Sequence, residues 1–129
     1  MPPLSARWSS PAYALMRIVV GLLFFCHGLS KLAHFPVAPP PGAPPLLTYT
    51  AGSIELVCGA LVGLGLSTPW AAFIASGEMA VAYFMAHLPK GFIPLVNGGE
   101  PAVLYCFVFL FIAAHGSGMW SLDARRTGR

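Results

Sequence analysis

Arg17-Ile-Val-Val-Gly21-Leu-Leu-Phe-Phe-Cys-His27-Gly28-Leu-Ser-Lys31-Leu32 is the stretch on which the fold turns. Arg17, Gly21, Phe24, Gly28 and Lys31 recur at i, i+4, i+7, i+11 and i+14, the spacing of one face of an α-helix. Between them run Ile, Val, Leu and Phe, with no period of two. Extended back to Pro11, the segment supplies the ~20 residues that cross ~30 Å of hydrocarbon. Three further segments resemble it, and the predicted helices cover about residues 11–32, 50–66, 69–88 and 101–119. The second is the shortest and can gain a turn from Leu46 to Tyr49. Four strands could not close a barrel, and an open sheet edge is not tolerated in lipid. The expected fold is all-α: an integral membrane four-helix bundle with both termini cytoplasmic.

The rest of the composition agrees. The chain has 129 residues, 57% hydrophobic and only 9% charged, against about 25% charged in soluble domains. A chain so poor in charge cannot cover a globule with polar surface, which excludes a soluble enzyme and a disordered linker. The net charge of +3 is spread too thinly to make a groove for nucleic acid. Residues 1–129 form a single transmembrane domain by length. Cys26, Cys58 and Cys106 lie inside apolar runs without CxxC or metal-ligand spacing, and so are expected in the core, with no metal site.

Helix starts are marked by Ser10-Pro11 and Thr68-Pro69, each an N-cap residue before proline, and by the carboxylate of Glu100 before Pro101. Residues 34–48 form a proline-rich loop, with Pro36, Pro39, Pro40, Pro41, Pro44 and Pro45 favouring extended structure; a linker is preferred over a proline-recognition ligand. The first segment lacks a small-residue cleavage site and is expected to stay as a span rather than leave as a signal peptide. Arg7, Arg125, Arg126 and Arg129 flank the termini, against Lys31 and Lys90 at the other side. By the positive-inside rule the termini face the cytoplasm and the proline-rich loop faces out.

Ionisable groups inside spans are costly and mark internal pairs or function. Here they are Arg17, His27, Lys31, Glu55, Glu78, His87 and His115. Gly52, Glu55, Gly59 and Gly63 share one face of the second helix, and Ala71, Ala75, Glu78, Ala82 and Ala86 one face of the third. Small residues let helices approach in lipid, so these faces should meet inside the bundle. Depth suggests a buried ion pair of Arg17 with Glu78, and an outer cluster of Glu55, His27 and Lys31. His87 falls on the far side of its helix from Glu78 and is expected at the outer rim with Lys90 and Glu100. His115 is expected at the cytoplasmic interface. Structural roles stand beside these: Lys31 could snorkel, and His27 could serve only as an interhelical hydrogen-bond partner. A His, a Lys and a Glu walled by Phe24, Phe25, Phe84 and Phe92 suit a quinone headgroup, but equally a proton relay or a small polar substrate. No haem, flavin or nucleotide motif is present, so no intrinsic cofactor is expected.

Several runs resemble the DoxX family of small bacterial membrane proteins. Arg17, Gly21 and His27-Gly28-Leu-Ser-Lys31-Leu32 match its first-helix signature, and Ala51-Gly-Ser-Ile-Glu55-Leu-Val-Cys-Gly59 its AGxxELxGG run, with Cys58 where Gly is common. Leu64-Gly65-Leu66-Ser-Thr68-Pro69 resembles the LGLxTR turn, with Pro69 in place of arginine; His87 to Phe92, Glu100, and Gly116-Ser-Gly118 through Ser121-Leu-Asp123 resemble the later elements. The resemblance implies a multi-pass four-helix protein of the bacterial inner (plasma) membrane, related to the membrane subunit of thiosulfate:quinone oxidoreductase. It maps the family's motif residues to Arg17, His27, Lys31, Glu55, His87 and Glu100.

Two functions follow as expectations. In the first, the chain is a membrane subunit of a quinone-linked oxidoreductase, with Glu55 and His27 catalytic, Lys31, His27, Glu55, His87 and Glu100 binding quinone or substrate, and another redox subunit or a second copy as partner. In the second it is a non-catalytic scaffold or assembly factor that docks a soluble partner. A small-solute or proton transporter is a third, weaker fit.

Overall fold

A computed structural model describes residues 1–3 and 5–128. Arg129, used above for orientation, lies outside the described residues. Among these residues the ordered elements are all helical. A 3-10 turn, Ala6–Trp8, leads into α1, Ser9–Ala33, which closes on His34 in the left-handed region. Helix α2 is Pro45–Leu64 and ends at Gly65, φ +71°. Helix α3 is Thr68–Ala82 and runs on through a π-turn, Tyr83–His87, and a 3-10 turn, Leu88–Lys90. A short α4, Pro94–Asn97, precedes α5, Glu100–His115, and α6 is Leu122–Arg126.

The boundaries depart from expectation in three places, each for a local reason. Helix α2 starts at Pro45, taking the extra turn from Leu46 to Tyr49 that the sequence allows and ending the proline-rich loop at residue 44 instead of 48, because proline at the first helical position loses no internal hydrogen bond. Helix α5 stops at His115, before the expected Met119, because Gly116 leaves the helix at φ +97°, which its missing Cβ allows. Ser10 and Thr68, the expected caps, sit inside their helices, and the caps are Trp8 and Ser67. The N–H groups of Ser67 and Thr68 are capped instead by the Asp123 carboxylate, at 2.9 and 3.1 Å.

Helices α1 and α2 pack backbone to backbone along the glycine faces read from the sequence. A Cβ on Gly21 would fall on the backbone nitrogen of Gly63, one on Gly28 on that of Leu56, and one on Gly59 on that of Phe25. Helices α3 and α5 form a second close pair. There Ala71, Ala72 and Ala75 are buried, and the Ser76 hydroxyl donates to the Cys106 carbonyl at 2.7 Å. Phe24, Val62, Phe109 and Ile112 fill the core between the pairs. Cys58 is buried, and Cys26 and Cys106 are half-buried thiols.

The outer faces carry Leu15, Val19, Leu22, Val57, Phe73, Phe107 and Leu110, all exposed. Three helical runs, Ala6–Ala33, Pro45–Leu64 and Thr68–Lys90, are long and apolar enough to cross a membrane. The fourth, Glu100–His115, is apolar but spans only about 24 Å. Successive helices alternate in direction, so the molecule has an Arg17 end and a Lys31 end.

Candidate functional site

At the Lys31 end a cavity of about 620 Å³ opens between the helix pairs. Lys31, in the last turn of α1, reaches across the glycine seam to α2. Its ammonium donates to both oxygens of Glu55, at 2.9 and 2.7 Å. Glu55 is 2% exposed, while Lys31 is half-buried and borders the cavity. Gly52 makes the reach possible: a Cβ there would meet the Lys31 side chain at 2.9 Å. An ion pair this deep must keep both partners, since a lone charge in low dielectric costs several kcal/mol.

Glu78 of α3 lines the same cavity beside Glu55 and Lys31. Its Oε2 is buried and meets no hydrogen-bond partner. The cluster therefore sets one ammonium against two carboxyl groups. His27, one turn before Lys31, also lines the cavity and stands edge-on to the Tyr105 ring at 5.8 Å. Tyr105 and Phe24 make an aromatic wall, their centroids 5.6 Å apart.

His87 lines this cavity as well. At 100° per residue it would lie half a turn from Glu78, as the sequence reading had it. The π-turn Tyr83–His87 inserts an extra residue and swings His87 round to the cavity side. Asn97 holds it there: the Asn97 carbonyl can only accept, so His87 Nδ1 donates to it, at 3.2 Å. Asn97 is itself tied down. Its amide donates to Gly91 O at 2.7 Å and to the Tyr83 hydroxyl at 3.1 Å, and accepts from Gly99 N–H at 2.8 Å.

The Arg17 end is built differently. Arg17 is fully buried and does not pair with Glu78, as had been expected. One terminal nitrogen donates to the carbonyls of Val62 and Gly63, at 2.8 and 2.9 Å; the other donates to those of Met119 and Trp120, at 3.2 and 2.7 Å. Val62 and Gly63 are at the C-terminus of α2, where unsatisfied carbonyls and the helix dipole attract a cation. Depth alone suggested the Glu78 pair, but Glu78 lies towards the opposite end. Tyr13 donates to Gly116 O at 2.6 Å, and its ring packs on His115 at 3.9 Å. Asp123 accepts from Ser117 as well as from the Ser67 and Thr68 backbone. Burial raises its pKa, but these hydrogen bonds outweigh that and hold it below the ordinary carboxylate range.

Of the predicted site residues, the fold gathers Lys31, Glu55, His27 and His87 around one cavity, and adds Glu78. Glu100 is exposed in the first turn of α5 and does not line it. Of the predicted aromatic walls only Phe24 contributes; Phe84 and Phe92 are exposed. Tyr105 and Asn97 were missed. Tyr105 sits among other aromatics in an apolar run, with no signal of its own, whereas Asn97 before Gly98-Gly99 is a polar residue in a glycine turn. Among the described residues no group of three or more His, Cys, Asp or Glu is placed to hold a metal.

Apolar helices around a cavity that holds a few ionisable side chains define a small polytopic membrane protein. The DoxX family model matches residues 12–88, and the chain belongs to that family. It is 45% identical to an uncharacterized protein of Haemophilus influenzae, over 85% of this chain and 87% of that one. It is 31% identical to an uncharacterized membrane protein of Mycobacterium tuberculosis, over 92% and 83%. It is 28% identical to a Bacillus subtilis protein named "Putative oxidoreductase CatD", over 84% and 82%. No solved structure matches the chain.

Proposed function

We propose that the chain is the membrane subunit of a quinone-linked redox complex. It would be a four-helix bundle in the bacterial inner membrane, with both termini cytoplasmic and the Lys31 end facing out. The carrying observation is the cavity that joins the Lys31–Glu55 pair, Glu78, His27 and His87 to an aromatic wall. Its volume suits a small-molecule site, typically ~300–1,000 Å³. Lys31 and His27 offer hydrogen bonds to a carbonyl oxygen. Glu55 orients Lys31, and Glu78 and His87 can accept or pass the protons that accompany quinone chemistry. Tyr105 and Phe24 pack against the ring. A partner subunit would supply the redox centre. The name of the Bacillus relative and the placement of Arg7, Arg125 and Arg126 at the Arg17 end support this reading.

Glu55→Gln should abolish quinone-dependent turnover in native membranes while leaving the helical circular-dichroism spectrum unchanged. Full turnover in that variant would remove Glu55 from the mechanism. Native mass spectrometry in mild detergent provides an independent check: a bound quinone or a co-purifying redox subunit supports the proposal. A bare protein, or one holding only a non-redox partner, favours the scaffold function.

A further inference from the structure

The cavity at the Lys31 end has an apolar side that the headgroup chemistry leaves unused. Ile74, Gly77, Val81 and Met85 form one stripe of α3 and its π-turn; they line the cavity and yet are exposed. Ile54 and Leu47 of α2 line it from the other side. Gly77 is the notch in this stripe: nothing lies within 4 Å of the position a Cβ would take. All of these residues belong to Pro45–Leu64 and Thr68–Lys90, two of the three helical runs long and apolar enough to cross a membrane. A mouth so placed faces acyl chains, whereas Glu55, held by Lys31, lies deeper.

We infer that the cavity opens sideways to the bilayer, and that the groove at Gly77 receives the apolar tail of a membrane-dissolved quinone whose headgroup meets the Lys31–Glu55 pair. The inference rests on the quinone reading and adds the class of ligand, a long-tailed one, and its route. Continuity decides the occupant. The groove runs without a break into the polar cluster, so one amphiphile can fill both.

Gly77 also provides the test, because its backbone is ordinary helix and the space is open. Gly77→Leu should fold at least as well as the native chain, since glycine inside a helix is the weaker helix former. The full-length protein, reconstituted in nanodiscs, is titrated with two benzoquinones of one headgroup, one bearing a decyl chain and one only a methyl group. In Gly77→Leu, occupancy by the decyl form at a fixed lipid ratio should fall about tenfold, because the leucine takes the space of the tail. Binding of the methyl form should stay within about twofold. Unchanged decyl binding, or equal loss of both forms, overturns the lateral route and leaves the headgroup site standing. If neither form binds the native protein, the quinone reading fails and the inference falls with it.

Discussion

Each end of this molecule holds a cation in the helix packing, fully buried Arg17 at one and half-buried Lys31 at the other, and uses it in the opposite way. At one end Arg17 spends its terminal nitrogens on four backbone carbonyls from α2 and the segment before α6. No carboxylate hydrogen-bonds to it among the described residues, and Arg17 itself is sealed from solvent, although a cavity lined by Gly63, Met119 and Trp120 opens beside it. At the other end Lys31 meets a buried carboxylate, a second carboxyl stands beside it, and a cavity adjoins all three. Solvating a cation with fixed carbonyls ties chain segments together and offers a ligand no titratable group. Neutralising it with a carboxylate next to an open space leaves protons and hydrogen bonds that a ligand can reach. Charge in a span thus marks an internal constraint at one end and a candidate site at the other.

Removing each cation tests the contrast. Arg17→Met should cost the most, about 3–5 kcal/mol, because it strands several buried carbonyls at once. Thermal unfolding in detergent should show a large fall or no folded protein. A small fall would mean that water replaces the guanidinium and that the lock is not one.

Lys31→Met should cost about 3 kcal/mol by leaving Glu55 buried and unpaired. Adding Glu55→Gln should return most of that stability, since the stranded charge disappears, while ligand binding stays lost. A double variant no more stable than Lys31→Met would show that the pair does not act as a unit.

The glycine seam that joins the two ends makes a finer prediction. Gly59→Ala should destabilise by roughly 1–3 kcal/mol, because its methyl group would fall on the Phe25 backbone. Gly63→Ala, four residues on, has only ordinary contacts of 3.8 Å or more and should be neutral or slightly stabilising. Equal melting temperatures for the two variants would contradict the close approach at Gly59.

Asp123→Asn should have a smaller effect, about 1 kcal/mol, through loss of the charged cap on α3. The pH dependence has a definite sign. A carboxyl held below its ordinary range when folded stabilises the protein at neutral pH. That contribution should fade as pH falls below about 4, so native and variant melting temperatures should converge in acid. Parallel curves would mean that the cap acts through shape and not charge.

Much of the helix plan was legible in the sequence, because apolar length and the period of small residues are local properties. The glycine faces of α1 and α2 could be read from spacing alone, since only glycine permits that approach. The meeting of Lys31 and Glu55 was legible too: both sit on glycine faces near the same ends of adjacent helices. Arg17 was not. Its partners are carbonyls, which every residue carries and no sequence distinguishes. Asp123 was unreadable for a related reason, since a cap supplied from 55 residues away leaves no local pattern.

By itself, then, the sequence determined the helical class, the family likeness and the faces that pack, through hydrophobicity and periodicity. Only the tertiary structure decided the site's membership. It moved Glu78 from Arg17 to the Glu55 cluster, and the π-turn brought His87 onto the cavity wall. It also supplied Tyr105 and the open notch at Gly77. Angle along a helix is predictable at 100° per residue only while the helix stays regular. Where it does not, and where a cavity forms between two helix pairs, packing settles which side chains meet.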